Sequence, residues 1–203
     1  MKKTAFKRAA MVLAVAGSVA MSFAAQAADG PWLVHVRAVN LESANGDSTG
    51  LGLSINNKVI PEVDFSYFFT PQIAAELILT YPQKQTVHSS VVGSDIGSFK
   101  HLPPTLTVQY HFTTLGALKP YLGAGVNYTR ISDVNLIPGA DLSRNSYGLA
   151  LQAGADYEIS KNVYLNLDVK KVQIRTDVSL SGVKVGQFKV DPLLVGVGIG
   201  WRF

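Results

Sequence analysis

The chain has 203 residues, 18 of them Lys or Arg against 14 Asp or Glu, and no cysteine. A formal charge of +4 does not mark a nucleic-acid binder, and the missing thiols exclude disulfides and cysteine-ligated metals. Beyond residue 27 there is no apolar run of roughly 18 residues, so no predicted helix spans a bilayer.

The first 27 residues read as a secretion signal. Lys2, Lys3, Lys7 and Arg8 form a basic start, residues 9–23 are apolar, and Ala25-Gln26-Ala27 is an A-x-A cleavage site. An uncleaved anchor is the competing reading, disfavoured because the segment is Ala-rich and weakly hydrophobic. Cleavage would start the mature chain at Ala28 and remove four bases and no acid. That leaves 14 charges of each sign, so the basic pI of about 9.2 belongs to the leader.

The rest alternates with period two, the signature of strands with two unlike faces. Over 32–41, Trp32, Val34, Val36 and Ala38 share one face while Leu33, His35, Arg37 and Val39 share the other. Over 59–69, Val63, Phe65, Tyr67 and Phe69 oppose Glu62, Asp64, Ser66 and Phe68. Over 73–81, Ala75, Leu77, Leu79 and Tyr81 oppose Glu76 and Ile78. Over 105–112, Leu106, Val108, Tyr110 and Phe112 oppose Thr107, Gln109 and His111. Strands over 120–130, 146–159 and 163–177 follow, the last with Leu165, Leu167 and Val169 opposite Asn166, Asp168 and Lys170. An eighth begins near Val190. Its Leu193, Val195, Val197, Ile199, Trp201 and Phe203 form an apolar face, opposite Leu194, Gly196, Gly198, Gly200 and Arg202.

Alternation alone does not say which face is inside. A soluble lipocalin-like barrel would turn the large apolar residues inward. The leader, the terminal aromatic Phe203 and the alternation of short and long connections decide for lipid outside. The class is therefore all-β: an eight-stranded antiparallel transmembrane β-barrel of the bacterial outer membrane over 28–203. Connections at 70–72, 113–119 and 160–162 are expected on the periplasmic side. Those at 42–58, 82–104, 131–145 and 178–189 are expected as polar outer loops. Tyr67, Tyr81, Tyr110, Phe112, Tyr128, Tyr147, Tyr157, Trp201 and Phe203 are expected as interfacial girdles.

His101-Leu102-Pro103-Pro104-Thr105-Leu106, followed by Gln109-Tyr110-His111-Phe112, resembles the fourth strand of the outer membrane protein W family. The run from Lys119 to Thr129 resembles its fifth strand. Arg37-Ala38, Asp191-Pro192 and Gly198 to Phe203 also match. The resemblance covers essentially the whole mature chain. It implies a barrel with a narrow, largely apolar lumen, associated with uptake of small hydrophobic molecules and with lateral exit through the wall. Leu33, Val39, Phe68, Ile78 and Leu194 are assigned to an apolar constriction. Lys170 stands where the family can carry a large aromatic, which counts against a fully apolar lumen.

Leu102, Pro103 and Pro104 bear on the exit, because proline has no N–H for the ladder. One reading is a gap in the wall, and the more economical one is a strand start after a loop. Arg37, Asp64, Glu76, His111, Asp156, Asn166, Asp168 and Lys170 point inward by parity. Buried charges must pair, so a polar network plugging the lower barrel is preferred to direct substrate contact.

A surface enzyme is disfavoured. His88, Ser89, Ser90 and His101 read as solvated loop residues, and no nucleophile–base pair or metal spacing is recognisable. The expected function is passive uptake of small hydrophobic molecules without cofactor. The alternative is a plugged barrel acting through its outer loops as an adhesin or as a phage or bacteriocin receptor. Expected partners are outer-membrane lipid and lipopolysaccharide, small hydrophobic ligands, and the barrel-assembly machinery through Phe203. The barrel is expected to be a monomer without nucleic-acid partner.

Overall fold

Period-two alternation demands extended chain, and a continuous apolar face must be hidden or given to lipid. The structure, a computed structural model, describes residues 30–203. The leader expected over 1–27 lies outside the described residues. In chain order the strands are β1 (Trp32–Glu42), β2 (Gly46–Asp47), β3 (Leu53–Ile55), β4 (Lys58–Phe68), β5 (Ile73–Thr80), β6 (Gln83–Ser89), β7 (Ser94–Leu102) and β8 (Thr105–His111). They continue as β9 (Leu118–Leu136), β10 (Ala140–Leu142), β11 (Asn145–Ser160), β12 (Val163–Val172), β13 (Arg175–Leu180), β14 (Val183–Lys189) and β15 (Leu193–Arg202).

Eight of these, β1, β4, β5, β8, β9, β11, β12 and β15, pair antiparallel in that order, and β15 returns to β1. The result is a closed barrel with no free edge at membrane depth, as a lipid environment requires. Its seam is tied by Trp32 and Phe203, which exchange backbone bonds of 3.1 and 2.9 Å. Leu106, Val108, Leu122, Val126, Leu165 and Leu167 face outward and are exposed, while their sequence neighbours point in. Two aromatic belts bound this apolar band. Trp32–Tyr67, Tyr67–Phe69 and Tyr110–Phe112 stack edge to face at 5.0 to 5.2 Å at one end, and Tyr128 packs on Tyr147 at 5.2 Å at the other.

The long connections are not loops. The 42–58 connection holds β2 and β3, and 82–104 is a β6–β7 hairpin that pairs with the top of β9. The 131–145 connection holds the end of β9 and β10, and 178–189 is largely the β13–β14 hairpin. β10, β13, β14 and β2 form a separate four-stranded sheet. The strand expected over 163–177 is two elements, with β12 ending at Val172 and β13 starting at Arg175. These hairpins rise beyond the membrane, where both faces of a strand can be polar, and so they lack the alternation that marks the staves.

Candidate functional site

The barrel interior is layered. At the end near the short turns, Leu33, Phe68, Ala74 and Tyr164 form a small apolar cluster. The Arg202 guanidinium lies 4.2 Å over the Phe68 ring and the Lys119 ammonium 4.8 Å over that of Tyr164.

Above it lies a charged layer. The Arg37 guanidinium, fully buried, donates to Asn166 Oδ1 (2.6 Å), Glu62 (3.2 Å), Glu76 (3.4 Å) and Asp64. The His35 ring bridges Asp64 (2.8 Å) and Asp156 (3.0 Å). Lys170 donates to Glu62 (2.6 Å) and Asp168 (2.7 Å). Asp168 also accepts from the Tyr121 hydroxyl (2.8 Å) and Gln152 (2.7 Å), and Glu76 accepts from Thr107 (3.2 Å). Each of these groups is desolvated and compensated by partners on other strands, the condition for charge to persist in an interior.

The small residues of β15 and β11 make this layer possible. Arg37 pairs with Gly198 and His35 with Gly200 across the seam. A Cβ at Gly198 would lie 2.2 Å from the Val36 carbonyl oxygen and 2.7 Å from Arg37 Cγ, and one at Gly200 2.5 Å from the His35 ring. A Cβ at Gly154 would lie 2.4 Å from the Tyr121 ring. Side chains from β1 and β9 thus lie flat over bare backbone. His35, Asp64 and Glu76 could converge on a cation, with ligand atoms within 4.8 Å of one another. The Arg37 guanidinium already serves Asp64 and Glu76 there.

On the far side of the charges the interior is apolar again. Val39, Leu41, Ile60, Phe99, Ile131 and Leu194 belong to one buried cluster that runs up into the outer hairpins. Two cavities of about 20 Å³ lie in this part. One is lined by Leu41, Ile60, Ile78, His101, Pro103 and Leu194, with Glu62 and Lys170 among its walls, and the other by Leu53, Phe99 and Phe188 higher up.

The wall beside the lower cavity is interrupted. β5 pairs with β8 as far as Ile78↔Thr105, and β6 pairs with β7 from Gln83↔His101. Between these rungs residues 79–82 face 102–104 with no ladder pairing, and Pro82, Pro103 and Pro104 all lack an N–H to offer. Asn127, buried on β9, holds this corner. Its Nδ2 donates to the carbonyls of Pro103 (3.3 Å) and Pro104 (3.1 Å) and to Thr105 Oγ1 (2.8 Å), while its Oδ1 accepts from Thr129 (2.7 Å). Outside the same corner a groove of about 310 Å³ runs between Leu77, Pro104, Leu106, Val126, Asn127 and Tyr147.

The residues assigned from sequence to one constriction are all buried, but they do not meet. Leu33 and Phe68 lie below the charges, and Val39, Ile78 and Leu194 above them. Lys170 sits in the charged layer. His101 is not a solvated loop residue: it is 1 % exposed, and Ser89 is buried too, its hydroxyl donating to the Leu51 carbonyl (2.6 Å). Ser90 is exposed and His88 half-buried, the latter beside Asp95 at 3.0 Å. Sequence reading passed over Tyr121 and Gln85. Tyr121 was within reach, since it shares inward parity with Gly123 and Gly125. Gln85 was not, because both faces of β6 are polar.

A family model described as the OmpW family matches residues 30–203. The chain belongs to the OmpW family. It is 42 % identical over 183 residues to an uncharacterized outer-membrane protein, y4mB, of Sinorhizobium fredii, covering 85 % of this chain and 80 % of that one. It is 34 % identical over 149 residues to the dibenzothiophene metabolism operon protein PahQ of Pseudomonas aeruginosa, covering 69 % of each. Among solved structures it is similar to the outer membrane protein OprG of Pseudomonas aeruginosa. The TM-score is 0.70 at 25 % identity, over 86 % of this chain and 97 % of that one. This OmpW-family chain is thus a β-barrel of the bacterial outer membrane, with lipid against its apolar band.

Proposed function

We propose that this OmpW-family barrel admits small hydrophobic molecules from outside into the apolar upper lumen and releases them sideways into the membrane. The observation that carries this reading is a juxtaposition. An apolar chamber is floored by the closed Glu62–Lys170 layer, and beside it stands the strip of wall where 79–82 and 102–104 have no ladder pairing with each other. A ligand cannot continue downward without separating buried ion pairs. The proline corner is held to β9 by the Asn127 amide and the Tyr128 N–H on its carbonyls rather than by a ladder to β5, and an apolar groove waits on its lipid side. A cavity of about 20 Å³ holds roughly one water. Entry therefore requires the side chains around it, and the hairpins above, to give way. PahQ bears the name of a dibenzothiophene operon, and dibenzothiophene is an uncharged apolar compound, the class this chamber would take. Transfer of this kind runs down a gradient and asks no reaction of these residues.

The test is uptake of a labelled small apolar compound by cells lacking the gene, with and without its restoration. Ile78→Asp, confirmed as folded in the outer membrane, puts a carboxylate into the chamber and is expected to abolish the gain. Pro103→Thr with Pro104→Val returns two N–H donors to the wall and is expected to slow uptake several-fold while leaving the barrel folded. Equal uptake with and without the protein would sink the channel reading and leave the outer hairpins as the working surface.

A further inference from the structure

Two buried polar side chains in the upper lumen are unlike all their neighbours. Neither ring nitrogen of His101 and neither amide atom of Gln85 has a hydrogen-bond partner among the described residues. Both residues are fully buried, at 1 % and 0 % exposure. Polar residues around them are satisfied: Gln83 donates to Thr80 Oγ1 (3.2 Å) and to the Tyr81 carbonyl (2.8 Å), and Ser89 to Leu51. A buried donor or acceptor without partner is costly and rare, so such a group calls for an explanation.

The two residues stand together. Gln83 pairs with His101 and Gln85 with Phe99, so Gln85 and His101 are diagonal neighbours on the inner face of one ladder. Diagonal pairs lie roughly 7–8 Å apart, close enough for one small ligand group between them to reach both. His101 lines the cavity beside Pro103, and its ring lies 5.9 Å from that of Phe99. It stands beyond the outer aromatic belt, at the level of Ile131 rather than Tyr128. Burial, and then the Lys58 ammonium, pushes its imidazole down to about 4. The ring is therefore neutral, with one nitrogen donating and one accepting. The Gln85 amide adds two donors and an acceptor. Hydroxyl and carbonyl groups match this neutral set, whereas the charges on the chamber wall, Glu62 and Lys170, are already paired with each other and leave a charged ligand without a counter-ion.

We infer that His101 and Gln85 form a recognition site for the hydroxyl or carbonyl oxygen of an uncharged, otherwise apolar molecule, so that the barrel favours oxygenated over plain hydrocarbons. The inference rests on the upper-lumen route proposed above and names the substrate class that route prefers.

The experiment pairs 1-naphthol with naphthalene. Wild-type protein with ¹⁵N-labelled histidine, in lipid nanodiscs, is titrated with each compound, and the His101 signals are assigned by their loss in His101→Phe. Naphthol is expected to shift the His101 ring nitrogens and naphthalene to leave them in place. In cells, the His101→Phe, Gln85→Leu double variant is expected to lose several-fold of the naphthol uptake and to keep that of naphthalene. His101 signals unmoved by naphthol, or a double variant that discriminates as wild type does, would overturn the inference. Wild-type protein that speeds neither compound would instead defeat the uptake route, while the ring-nitrogen titration would still decide the site.

Discussion

Arg37 holds five oxygen acceptors from β4, β5, β9 and β12, and Lys170 two, from β4 and its own strand. That these side chains point inward was legible, because parity on a strand is strict. Their partners were not, since Lys170 and Glu62 are 108 residues apart and nothing local couples them. Removing one member of a buried set leaves the others uncompensated. Lys170→Met is therefore expected to destabilise the barrel by about 3–5 kcal/mol, through the stranded Glu62 and Asp168 carboxylates. Urea unfolding in lipid vesicles measures this, and a loss below about 1 kcal/mol would mean that Lys170 contributes little to the layer. His101 and Gln85 lay further from reach. The sequence around them carries no apolar alternation, and their burial comes from the hairpin packing on the top of β9.

For the elements, the staves and the hairpins above them obey different rules. β12 places Leu165, Leu167 and Val169 outward against Asn166, Asp168 and Lys170 inward, and a medium apolar on one side writes that contrast into the sequence. β6 alternates Gln83, Gln85, Val87 and Ser89 inward with Lys84, Thr86 and His88 outward, so the contrast is gone. Its strand character comes from pairing with β3 and β7. The lipid-facing assignment can be measured directly. Leu167→Arg, in the middle of the apolar band, is expected to cost about 2–4 kcal/mol of stability in a bilayer. An Arg tolerated there without loss would place water against that face.

For the whole molecule, closure of the barrel assigns every loop to one of two ends. The Ser160–Val163 turn lies at the end with the β1–β15 seam, and the β6–β7 turn at the other. An epitope inserted after Val92 is expected to bind antibody on intact cells. One inserted after Lys161 is expected to bind only after the outer membrane is permeabilised. The reverse pattern would invert the orientation and with it the direction of uptake. The eight staves, the outward apolar face and the inward charges could all be read from the residues, because a two-residue period is a local property that lipid on one side enforces along each strand. The partners within the charged layer, the break in the wall beside Pro103 and Pro104, and the burial of His101 and Gln85 were decided only in three dimensions. Each depends on the register between strands far apart in the chain, and that register is set when the barrel closes.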